Sequence, residues 1–338
     1  MPDTQQSQID GFIFRDLHPG VSMGTASDRY AGWLGQIYSE ARYQSQMTSR
    51  TTKIGGQSLI ERVLPVSSVA EYFQHFSVLE LDFTFYGWLA DPHDQPTPTF
   101  RTLSLYKEYL APGNRLLLKV PQAVFARKFW RSGKYIDNPD YLNPDMFTCR
   151  FYRPAVELLG EWLHGFIFEQ EYQIQKERSS TGEFCARLDD FFTQIPPDER
   201  YHVEVRTESF LSPAYFDLLE KHSLGQVLSH WTWLPPLSRQ FALGRSRFLN
   251  SGRQCLIRLL TPPNVKYEDA YLRTFPFDKM VEGLLSPRMI EDTVAIMRSA
   301  IDQGCHINVA VNNRAGCNAP TIAQLLSKRF LDSLSDPA

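Results

Sequence analysis

The stretch Val78-Leu79-Glu80-Leu81-Asp82-Phe83-Thr84-Phe85 decides how the rest of the chain is read. Successive side chains of a strand point to opposite faces. One parity here is wholly apolar: Leu79, Leu81, Phe83 and Phe85. Those residues belong against helices, which turns Glu80, Asp82 and Thr84 towards an interior.

Val78–Thr84 reads as a strand, and so do seven further runs: Val21–Ala26, Arg115–Val120, Leu163–Glu169, Tyr201–Arg206, Leu224–His230, Cys255–Leu260 and Ile307–Asn313. Helix signals fill the intervals. Ser68 and Glu71 have capping-box spacing, followed by Val69, Tyr72, Phe73 and Phe76 on one face. Ser212-Pro213 and Ser286-Pro287 each offer an N-cap with a first-turn proline. Gly304 supplies a left-handed stop, and Asn318 with Pro320 opens a last helix. Strands alternating with helices predict a parallel sheet, because parallel partners need long crossovers. Eight such units, with no GxGxxG or GxxxxGK[ST] loop, predict a closed (β/α)8 TIM-type barrel.

The chain's 338 residues suit one large barrel domain, expected over residues 20–332. Residues 1–19 read as a loose lead-in and 333–338 as a C-terminal tail. The stretches 42–58, 91–112, 129–148 and 261–285 are too long for ordinary connections and read as loop insertions that can build a binding face. With 43% hydrophobic residues, a large core is expected. No apolar run reaches the roughly 18 residues of a membrane span, and the opening MPDTQQSQID lacks the features of a secretory signal. Five cysteines without a CxxC pair argue for reduced thiols, hence a cytoplasmic chain. A net charge of -3 gives no general pull towards nucleic acid.

The same parity rule turns Lys119, His202, Glu204, Arg206, Arg258, Asn308 and Asn312 inward. The fourth and sixth strands are ambiguous, so Glu169 and His230 join as further candidates. Barrel interiors are usually layered with Val, Ile and Leu, and an unpaired buried charge is costly. Converging acids and bases therefore have two readings. They form a self-satisfied ion-pair network, or they build a site at the C-terminal mouth, where barrel enzymes hold their chemistry.

On the second reading Asp82, Glu204 and Glu169 supply acid/base catalysis. Lys119, Arg206 and Arg258 then hold a phosphate or carboxylate, and Asn312, Asn313, His230 and Trp231 complete the ligand contacts. Carboxylates ending consecutive strands, Glu169 and Glu204, also leave glycoside cleavage open. Trp231-Thr232-Trp233-Leu234-Pro235-Pro236 offers a stacking wall. No metal site is assigned, because HExxH is absent and Arg206 and Lys119 would oppose a cation. No cofactor is indicated. The expectation is an enzyme acting on a small anionic substrate. The alternative is a non-catalytic module that binds a ligand, nucleic acid or protein.

Motifs in order along the chain resemble the YecE-like family, also called domain of unknown function 72. Gly24-Thr25 with Tyr30 and Trp33 is similar to its GTSGWxYxxW opening, and Phe76–Tyr86 (FSVLELDFTFY) to FNxVEINSTFY. Lys119-Val120-Pro121 matches KxP. Leu159-Gly160-Glu161 through Phe168 matches LGxxLGPxLFQ, and His202–Arg206 (HVEVR) matches AVEFR. Asn312-Asn313 with Gly316 and Ala319 matches NNxxxGxA. The resemblance implies a TIM-type barrel and supplies no reaction. The chain departs from the family at Asp28, where a tryptophan is usual, at Asp82 for Asn, and at Glu169 for Gln.

Overall fold

A computed structural model describes residues 2–131 and 133–335. Eight parallel strands close into one barrel: β1 (Val21–Ala26), β2 (Val78–Leu81), β3 (Arg115–Lys119), β4 (Leu163–Glu169), β5 (Tyr201–Glu204), β6 (Gly225–His230), β7 (Gln254–Leu259) and β8 (His306–Val311). Each pairs with its sequence neighbours, and β1 closes the ring against both β8 and β2. At the β1–β2 seam a Cβ on Gly24 would lie 1.8 Å from the Val78 carbonyl oxygen. Only glycine allows that approach, which gives the Gly24-Thr25 motif its physical reason.

The inward residues form two stacked layers. Val78, Leu117, Ile167, Val227 and Leu256 make an apolar floor. Two residues further along each of those strands stand Glu80, Lys119, Glu169, Ser229 and Arg258, so the polar layer follows directly from the two-residue period. The outward parity, with Leu79, Leu81, Leu116, Leu118, Val203 and Val309, joins the large core beneath the helices.

Helix starts follow the serine signals in two cases. Ser212 accepts a hydrogen bond from the Tyr215 amide at 3.3 Å, and Ser286 from the Met289 amide at 3.3 Å. The Ser68–Glu71 capping box does not form. A 3-10 turn, Val66–Ser68, carries Ser68 into helical geometry, and Glu71 instead accepts from the Ser39 amide at 3.0 Å.

The expected loose lead-in is structured. Helix Pro2–Asp10 packs on the last helix, Ala319–Ser335, with Ile9, Phe14 and Leu17 buried. Asp10 pairs with Lys328 at 2.6 Å. Ser333 to Ser335, expected in the tail, extend that last helix; Asp336 to Ala338 lie outside the described residues.

The insertions carry structure of their own. Thr48–Ile54 and Gln57–Val63 form a hairpin, as do Lys128–Arg131 and Lys134–Asp137. Pro98–Lys107 and Tyr267–Thr274 are helices. No helix among the described residues is long and apolar enough to cross a membrane.

Candidate active site

The polar layer is an ion-pair network. The Arg258 guanidinium grips Glu80 with two bonds, at 2.8 and 2.6 Å, and reaches Glu169 at 2.8 Å and also Glu204. Arg206 bonds Glu169 at 2.7 Å and Glu204 at 3.3 Å. Lys119 bonds Glu169 at 2.8 Å. Ser229 donates to Glu204. Three acids therefore meet three cations, and each cation has an acidic partner. Burial alone would raise the Glu169 carboxyl, but Arg206, Lys119 and Arg258 outweigh it and hold it well below the usual range. The same logic raises Arg258, whose burial is overcome by Glu204, Glu80 and Glu169.

This arrangement has consequences for several expected roles. The Glu204 side chain is 0% exposed and already spends its oxygens on Arg206, Arg258 and Ser229. It has no open face to offer a substrate. Glu169, 15% exposed, is the acid of the layer that reaches the mouth. Lys119 has Phe85 over its ammonium at 3.8 Å, and Arg206 has Trp231 over its guanidinium at 4.3 Å.

His230 stands on the other side of the strand from the network. Ser229 occupies the lumen, so parity sends His230 towards the helices, where burial lowers its imidazole to about 4 and Asp292 is its charged neighbour. Asn312 caps a 3-10 turn by accepting from the Arg314 amide at 3.0 Å. Asn313 accepts from Trp33 Nε1 at 3.1 Å and the Ala319 amide at 2.9 Å, tying the first loop to the last helix.

Asp82 is separate from the network. Strand β2 ends at Leu81, one turn short of the sequence reading, and Asp82 opens a 3-10 turn through Tyr86. That turn delivers its carboxylate to a cavity of about 490 Å³ on the C-terminal face, within the usual range for small-molecule pockets. Tyr30, Tyr86, Tyr106, Tyr267, Phe83 and Phe277 give the cavity aromatic walls. The 48–63 hairpin and the segment 267–277 enclose it, so two of the expected insertions build its sides. The first loop closes tightly on the second insertion: a Cβ on Gly32 would lie 2.4 Å from the Pro276 carbonyl oxygen.

The charges in this cavity are largely unspent. Arg50 pairs with Glu61 at 2.5 Å, and Tyr271 also donates to Glu61. Arg29 and Arg62 reach only the carbonyl oxygens of Leu64, at 3.4 Å, and Gln44, at 3.3 Å. Arg314 lies 4.5 Å over the Tyr267 ring, and its buried Nε has no hydrogen-bond partner. Among the described residues the Asp82 carboxylate enters no ion pair or hydrogen bond, yet its charge, after burial, helps to raise the Tyr30 hydroxyl.

Beneath Asp82 lies Asp28, 2% exposed, which accepts the Tyr106 hydroxyl at 2.9 Å. Its other oxygen is buried without a partner. Burial raises the Asp28 carboxyl to about 6, with Asp82 adding to the rise against the opposing pull of Arg29 and Tyr106. Ser27, between β1 and Asp28, takes φ 71 and lines the cavity, a costly backbone setting of the kind that collects at functional sites.

Asp28, Arg29, Tyr106 and Arg314 are absent from the sequence-derived candidates. The sequence carries a signal for two of them. Asp28 replaces the resembled family's tryptophan, and Arg314 sits inside the closing Asn-Asn motif. No group of His, Cys, Asp or Glu among the described residues is arranged to hold a metal ion.

A family model described as "Protein of unknown function DUF72" matches residues 61–336. The chain belongs to the DUF72 family. Among solved structures, a DUF72 family protein of Thermotoga maritima is 16% identical, with a TM-score of 0.56 over 92% of this chain and 99% of that one. A DUF72 family protein of Enterococcus faecalis is 15% identical, with a TM-score of 0.55 over 92% and 95%. At such identities the likeness establishes the barrel alone. No curated protein matches the chain.

Proposed function

We propose that this DUF72 protein is an enzyme for a small, flat molecule bearing a carboxylate or phosphate, bound in the cavity beside Asp82. One observation carries the reading. Three arginines and one carboxylate, none of them in a salt bridge among the described residues, line a single aromatic-walled space. Arg314, over the Tyr267 ring, is poised to fork onto an anion, with Arg29 and Arg62 lining the same cavity. Asp82 then stands next to the ligand as the general base or acid, and under it lies the Asp28 carboxyl, raised to about 6 by burial.

The lumen cations Lys119, Arg206 and Arg258 serve the barrel in this reading, because their charge is already answered by Glu80, Glu169 and Glu204. The five free thiols support a reduced, cytoplasmic setting.

The test is a thermal-shift series with benzoate, 4-hydroxybenzoate and phenyl phosphate, with benzyl alcohol as the neutral control. Ligands that bind the native state raise the melting temperature. The anions are expected to do so, Arg314→Ala to abolish the response, and Arg206→Ala to leave it in place. Mass spectrometry of the incubated ligands is expected to show conversion that Asp82→Asn stops. Binding without conversion would leave a non-catalytic binding protein, and no response to any anion would remove the proposal.

A further inference from the structure

The ends of β4, β5 and β6 carry a second concentration of unspent polar groups, apart from the Asp82 cavity. Gln170 Nε2, Arg206 Nε and Trp231 Nε1 are buried and lack a hydrogen-bond partner among the described residues. They belong to side chains already held together: Gln170 Oε1 accepts the Arg206 amide at 3.0 Å, and the Arg206 guanidinium lies on the Trp231 ring. The hydroxyls of Thr232 and Thr261 are likewise buried and unpartnered, and the Thr261 amide donates to the His230 carbonyl at 3.2 Å, which brings the end of β7 alongside. Buried donors in folded proteins nearly always have partners, so a cluster of three orphaned N–H groups calls for acceptor oxygens.

Charge narrows the chemistry of those oxygens. Arg206 is answered by Glu169 at 2.7 Å and Glu204 at 3.3 Å, and the whole layer below is balanced. An anion placed there would face two carboxylates, whereas hydroxyl or carbonyl oxygens would meet donors at no Coulomb cost. Past the ends of β4 and β6, Tyr172 and Trp233 stack with ring centroids 5.3 Å apart, yet remain 37% and 43% exposed. Tyr172 lies three residues past Glu169 and Trp233 two past Trp231, so the pair overhangs the same strand ends. The negative face of an aromatic ring attracts the positively polarised C–H edge of another group, and the C–H face of a sugar ring offers that pattern.

We infer that the ends of β4 to β6 form a binding site for a neutral sugar, with Gln170, Arg206 and Trp231 donating to its oxygens and the Tyr172–Trp233 pair stacking on its ring. The site is independent of the anion cavity.

Isothermal titration of the full chain with glucose, N-acetylglucosamine and their β-1,4-linked disaccharides tests it. At least one is expected to give saturable binding. Trp231→Phe, which removes the N–H and keeps a ring, is expected to weaken that binding about ten-fold, and Trp233→Ala to weaken it at least as much. Melting curves identify any variant that fails to fold; the exposed Trp233 is the safer of the two. Benzoate binding should be the same in Trp233→Ala as in the natural protein, so failure of one site is distinguishable from failure of the other. No saturable heat with any sugar, binding in both variants as tight as in the natural protein, or tighter binding of glucose 6-phosphate than of glucose would overturn the inference.

Discussion

A buried charge is tolerated only where it is answered, and this barrel shows both outcomes side by side. Glu80 and Glu204 depend on Arg258. Arg258→Met keeps most of the volume but leaves those two carboxylates without their principal cation. Removing one partner of a buried pair costs about 3–5 kcal/mol, and denaturant melts should show a loss of that size. Asp28 is the opposite case. Its folded carboxyl titrates at about 6, raised from 3.8. The folded state therefore holds a proton that the unfolded chain releases, and stability falls as pH rises between those values, with the cost persisting above about 6. Asp28→Asn removes that cost. The variant's advantage over the natural protein should grow from pH 4 to 6 and then level off at about 2–3 kcal/mol. An advantage independent of pH would show that desolvation of this carboxyl is not its source.

Among elements, strands were the most legible in the sequence and their ends the least. Two-residue alternation marks a strand wherever one face meets helices and the other an enclosed space, and for that reason Glu80, Lys119, Glu204, Arg206 and Arg258 could be placed inward without coordinates. The same rule extended β2 through Thr84, because Phe83 and Phe85 continue the alternation; the chain turns at Asp82 instead. That one turn takes Asp82 out of the ion-pair layer and into the cavity. Ser68 illustrates a second limit: its spacing to Glu71 is right for a cap, but the preceding 3-10 turn makes Ser68 helical. The cavity itself was illegible. It joins residues from the first loop, the 48–63 hairpin, the 267–277 segment and Arg314, and no local pattern reports contacts of such long range. The hairpin can be tested as a unit. Ser49 pairs with Arg62, so an Asn-Gly turn replacing residues 50–61 should close the ladder. It leaves every barrel strand intact. Denaturant melts should show a loss of about 1–2 kcal/mol, chiefly from the Tyr271–Glu61 contact and nearby burial, while the thermal response to benzoate disappears.

Across the whole molecule, the groups that hold the barrel together are distinct from those lining the cavity proposed to bind a ligand. An apolar floor and a neutralised ionic layer fill the lumen, while the unspent charge gathers at the C-terminal rim under loops that the sequence marks as insertions. The most direct measurement is a crystal structure of the protein soaked with benzoate or phenyl phosphate. The expected result is the anionic group against Arg314, with the ring among Tyr30, Tyr267 and Phe277 and Asp82 within reach. An anion that instead displaces Glu169 from Lys119, Arg206 and Arg258 would contradict the account, because the lumen charges would then be the binding site and not the frame.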